Sequence, residues 1–243
     1  MRQGLAPGYH VLEPRHPLGW RNLGIRNYEC GRLALRHPDF GSALINLAYL
    51  LYDKGDMDGA LRLSRYALDV YQKSYDGAEH PDIAMAQNNL AMWLMETGGY
   101  GEAEILLRDA LDMRIRMLGN DHPDIAGSMT LLANLLVATQ RYDEAYSYAA
   151  QARQISTVAN SENHWRTAIA ASAEGAALAG LQRYAEAETL LLKSRDVLHA
   201  DAGALPVFIE ETDKRLATLY EDWGQPEEAA KYPAQIEADI ATE

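Results

Sequence analysis

Residues His80–Asp121 read HPDIAMAQNNLAMWLMETGGYGEAEILLRDALDMRIRMLGND, and the next five, His122, Pro123, Asp124, Ile125 and Ala126, begin the same phrase again. The phrase recurs through most of the chain. Its starts are His37, His80, His122, His164 and Pro206; the copies lie 42 residues apart, except that the first carries one extra residue near Gly77. Stacking the copies gives columns. One holds Ala60, Ala103, Ala145, Ala187 and Ala229; another holds Ala48, Ala91, Ala133, Gly175 and Ala217. A third holds Leu51, Leu94, Leu136, Leu178 and Tyr220, and a fourth Met57, Tyr100, Tyr142, Tyr184 and Pro226. Self-similarity at such a period marks a stacked array.

Within the second copy, Ile83, Gln87, Leu90, Ala91 and Leu94 fall at helical spacing, and so do Ala103, Leu107, Ala110, Leu111 and Leu118. Each set makes one apolar stripe. Thr97-Gly98-Gly99-Tyr100 between them reads as a turn. The unit is therefore a helix, a turn and a second helix. The alanine columns mark close approach of the two axes, where a larger side chain would push them apart. His-Pro-Asp fits a helix start: proline near the first helical position loses no hydrogen bond, and aspartate meets the positive end of the dipole.

With its HPD start, its NNLA, its GYGEAEILLRDAL run and its unbroken alanine column, the chain resembles the tetratricopeptide repeat family. The 42-residue length is similar to the kinesin-light-chain class of that repeat. The resemblance implies an all-α fold, a right-handed superhelical solenoid whose concave face binds partners. Five helix pairs are expected over residues 37–243, preceded by an N-terminal extension and capping segment over residues 1–36. Arrays need capped ends; a degenerate earlier repeat is the alternative for residues 20–36. Pro233 should break or kink the last helix. The stretch from Arg215 to Ala230 is similar to the closing repeat of tetratricopeptide tails on bacterial Ser/Thr kinases, although the chain has no kinase signature.

Composition narrows the function. Net charge is −13, which argues against nucleic acid as partner. The charge is uneven. Residues 1–36 hold six arginines against two glutamates, and residues 206–243 hold ten acidic side chains against three basic ones. That asymmetry makes self-association through unlike ends an open expectation. Cys30 is the only cysteine, so no intrachain disulfide is possible. With no apolar signal core and no spanning run, the expectation is a cytoplasmic protein with no membrane association.

Candidates for chemistry are few. The four helix-start histidines lie on successive repeats, at least about 8–10 Å apart, whereas zinc holds nitrogen ligands at about 2.0–2.1 Å. No metal, cofactor or catalytic residue is expected. Glu102, Glu144, Glu186 and Glu228 read as solvent-facing carboxylates in the first turn of the second helices. Glu174 stands in a leucine column and should point into the packing between helices, snorkelling outward, pairing with an arginine such as Arg183, or serving as a sensor or polar contact.

The groove remains. The resemblance assigns its lining to the first helices. By register these offer Tyr49, Tyr52 and Asp53 in repeat one, and Asn88, Asn89, Met92, Met95 and Glu96 in repeat two. Repeat three offers Thr130 and Asn134. Ser42, Ile45, Met85, Gly127, Val137 and Ala138 complete these three repeats, and Glu211, Lys214, Thr218, Glu221 and Asp222 line the fifth. Methionine and tyrosine give adaptable apolar contact, and asparagine can pair with a peptide backbone. Repeat four is nearly bare of groove side chains. The carboxylate clamp of chaperone-binding relatives is missing, since its basic positions read Ile45, Gly127 and Leu131. Kinesin light chains grip acidic peptides with basic grooves, whereas this groove carries Asp53 and Glu96. The expected function is a non-catalytic scaffold or adaptor for a protein or peptide segment with apolar anchors and a basic residue. The alternative is a regulatory module acting on an attached or partner enzyme such as a Ser/Thr kinase.

Overall fold

The computed structural model describes residues 37–232. The expected N-terminal cap and the break at Pro233 lie outside these residues. Among the described residues ten helices follow one another: α1 (Pro38–Asp53), α2 (Met57–Ser74), α3 (Pro81–Glu96), α4 (Tyr100–Leu118), α5 (Pro123–Ala138), α6 (Tyr142–Asn160), α7 (Trp165–Gly180), α8 (Tyr184–Ala200), α9 (Pro206–Asp222) and the short α10 (Pro226–Ala229). Each packs chiefly on its neighbours in sequence, forming an all-α, right-handed solenoid of helix pairs. None of them is long and apolar enough to cross a membrane.

The helix starts are set locally. His37, His80, His122 and His164 are N-caps whose Nδ1 accepts the backbone N–H two residues on, at 3.1–3.3 Å. Each imidazole thus satisfies one of the donors a helix start leaves orphaned. Turns follow the same register. Gly55, Gly98, Gln140, Gln182 and Gly224 occupy one column, and all five have φ between 61° and 78°. Glycine takes that left-handed conformation freely, while a side chain is strained there. Gln140→Gly should therefore raise stability by up to about 1 kcal/mol. A thermal melt checks this, and a lowered midpoint would refute it.

Packing explains the alanine columns. Ala60, Ala103, Ala145 and Ala187 are fully buried, and Ala229 nearly so. At Gly175, an added Cβ would stand 2.7 Å from Leu191 Cγ, so repeat four takes glycine where the others take alanine. Between repeats, the first helices meet through small polar pairs. Asn88 Nδ2 donates to Ser128 Oγ at 3.0 Å, and Ser172 and Thr212 share a hydroxyl bond of 2.9 Å.

A second seam changes character along the array. The position held by Leu68 and Leu111 becomes Arg153 and Arg195 in repeats three and four. Arg153 Nε donates to Glu174 Oε2 at 2.5 Å, and Arg195 Nε to Asp213 Oδ1 at 2.5 Å. Glu174 is buried, as its column requires, and its partner is Arg153 on α6. Arg183 instead pairs with Glu186. Two of the other first-turn glutamates tie second helices together across repeats. Arg65 grips Glu102, and Arg108 binds both Glu104 and Glu144. These carboxylates are only partly exposed, so the solvent-facing reading holds in part. The Arg108 hydrogen bond keeps the Glu144 carboxyl below its ordinary range.

Candidate concave-face site

The first helices present four positions of each copy, spaced i, i+4, i+7 and i+11, on their free face. In α1 these are Ser42, Asn46, Tyr49 and Asp53; in α3, Met85, Asn89, Met92 and Glu96. In α5 they are Gly127, Leu131, Asn134 and Ala138; the same positions of α7 hold Ile169, Ala173, Ala176 and Gly180, of which Ala173 is fully buried.

The structure gathers an aromatic patch at the α1–α3 end. Tyr49 and Tyr52 are 38% and 37% exposed. Both lie against the buried ring of Trp93, at centroid distances of 5.0 Å edge-on and 4.5 Å tilted. Tyr49 OH donates to Asn89 Oδ1 at 3.2 Å, linking the two repeats across the patch. Asp53 and Glu96 flank it in the register of the free face. Burial, then the charge of Glu96 and then that of Asp53, push the Tyr52 hydroxyl above its ordinary range. The patch is therefore apolar and aromatic at its centre, and negative at its edge.

Not every expected lining residue is here. Asn88 is buried in the seam toward the following repeat, and Thr130 and Ile45 are buried as well. Asn88 serves Ser128, and Thr130 Oγ1 bonds the Ala126 carbonyl of its own helix at 2.8 Å. Neither is offered to a partner. Met92 and Met95 are half-buried, with Met95 packed against the main core. Asn134 lies on the free face, but its Oδ1 accepts from Arg215 Nη2 at 3.0 Å.

Trp93, Asn46, Leu131 and Arg215 are absent from the expected set. Trp93 could have been found from its column, where Leu50, Leu135 and Leu219 are the other large residues. Arg215 is the less accessible case. Its guanidinium is largely buried, with Glu211 Oε1 at 3.2 Å as its charged partner. Burial lowers its affinity for its proton, and Glu211 opposes that. Among the described residues, no group of three or more His, Cys, Asp or Glu side chains could hold a metal ion.

Comparison with known proteins agrees with the fold. The sequence profile described as tetratricopeptide repeat matches residues 39–116 and 124–199. No curated protein matches the chain in sequence. Among solved structures, BtubC (BKLC) from P. vanneervenii superposes with a TM-score of 0.63 at 21% identity, over 84% of this chain and 83% of that one. A Podosopora anserina putative kinesin light chain with nearly identical TPR-like repeats gives 0.62 at 22%, over 81% and 92%. A thermophilic TPR protein of Thermus thermophilus gives 0.58 at 20%, over 82% and 93%. At these identities the likeness speaks to fold.

Proposed function

The chain belongs to the tetratricopeptide repeat family, and from that premise we propose that it is a non-catalytic scaffold or adaptor, holding a partner's segment on the concave face of repeats one to three. Repeats of this family generally bind protein partners. The observation that carries the reading is the patch of Tyr49 and Tyr52 seated on Trp93. Exposed tyrosines on a rigid ring are suited to anchor apolar side chains, and a few such anchors usually dominate binding. Asn89 lies beside them with an amide for a peptide backbone. The flanking Asp53 and Glu96 favour a segment that adds lysine or arginine to its apolar anchors. The setting proposed is the cytoplasm. Control of an attached or partner enzyme would use the same face, with the enzyme's own segment as guest.

A peptide array probed with the intact chain tests this. Segments with apolar anchors and at least one basic residue are the expected ligands. Tyr52→Ala with Asn89→Ala should weaken their binding by at least about tenfold, or 1.4 kcal/mol, with circular dichroism unchanged. Asn88→Ala should do the reverse, lowering stability by about 1 kcal/mol and leaving affinity alone. Acidic ligands, or ligands that map to the convex face, would refute the proposal.

A further inference from the structure

Arg215 leaves α9 and reaches back across the whole width of α7. Its Nη1 donates to Ser172 Oγ at 3.0 Å on α7, and its Nη2 to Asn134 Oδ1 at 3.0 Å on α5, 81 positions earlier in the chain. The side chain is only 12% exposed, although it starts from a free-face position. Room for it comes from α7, which carries only small side chains at that level: Ala173, fully buried beside Ala133 and Ala149, and the half-buried Ala176. The same two columns hold larger side chains in the first repeats, Asn46 and Tyr49 in repeat one, and Asn89 and Met92 in repeat two. A forked guanidinium suits such a span, since it bonds in two directions at once.

We propose that Arg215 is an internal guest of the concave face, closing repeats three to five and so setting how much groove a partner segment can use. The alanines of repeat four are then a seat for the chain's own side chain. Asn134 holds the far end of that side chain, and Glu211 supplies its countercharge. The closure itself follows from these contacts. Only its effect on a bound segment rests on the groove reading above, so the test is made without any partner.

The test introduces a thiol by Ala176→Cys in a Cys30→Ser background, and measures its alkylation by N-ethylmaleimide with mass spectrometry. Thiol reactivity follows access, so Arg215→Ala should raise the rate at least about fivefold. A thiol from Met85→Cys, in repeat two, should react at one rate with or without Arg215. Arg215→Lys keeps the charge beside Glu211 but lacks the fork that reaches both Ser172 and Asn134, and should also raise the rate. It decides the matter if Arg215→Ala fails to fold by circular dichroism. Unchanged alkylation at position 176 in the folded variants would overturn the proposal, whatever the peptide array returns.

Discussion

Arg153→Leu should destabilise the protein by about 3–5 kcal/mol, although leucine is what the first two repeats carry at that position. The reason lies in its partner. The Glu174 side chain is 5% exposed, and Arg153 is the charge it meets. Removing Arg153 leaves a buried carboxylate uncompensated, and such a group is far costlier than an absent pair. The opposite single change is milder. Arg153 is about one-third exposed, so after Glu174→Leu its guanidinium can turn to solvent. The double variant Arg153→Leu with Glu174→Leu rebuilds the apolar seam that Leu111 and Leu132 form part of one repeat earlier, where both are buried. It should match the parent, or exceed it by about 1–4 kcal/mol. Urea titrations of all four forms give the coupling directly, fitted as a repeat array because neighbouring units need not unfold together. A double variant as damaged as Arg153→Leu alone would show that the cost came from shape and not from charge.

That pair also shows where reading the sequence ends. Burial of position 174 was readable, because leucine fills its column in other copies and each copy repeats the same environment. Its partner was not. Arg153 and Arg183 both lie near in sequence, and only the packing of α6 on α7 selects between them. The helices, turns and alanine contacts were readable for the same reason as the burial: a pattern repeated five times averages out local accident. The groove was harder. Adjacent helix positions differ by about 100°, so Asn88 and Asn89 face different surroundings. A stripe of i, i+3 spacing selects Asn88; the free face follows i, i+4 and selects Asn89. The next repeat decides, by covering Asn88 with Ser128. Arg215 left no local sign at all, since its bond to Asn134 spans 81 positions. The alanines of α7 did show in the sequence, where they read as bare groove.

Trp93 separates stability from recognition. Trp93→Ala should cost about 3–5 kcal/mol, the usual range for emptying a buried indole site. It should abolish binding as well, because Tyr49 and Tyr52 would lose the ring they rest on. Trp93→Leu divides these effects. Leucine fills the same position in repeats three and five and is buried there, so the seam should accept it with a smaller loss than alanine causes. The aromatic platform would still be gone, and affinity for a basic, apolar-anchored peptide should fall by at least about tenfold. Trp93→Phe restores a ring. It deletes an indole N–H that has no hydrogen-bond partner among the described residues, so no bond to them is forfeited, and binding should return to within about threefold of the parent. Titration of each variant with one array-selected peptide, beside its thermal melt, tests the order Phe, Leu, Ala on both axes. If Trp93→Leu binds as tightly as the parent, the tyrosines do not depend on the indole beneath them. The recognition surface would then have to lie elsewhere on α1 and α3.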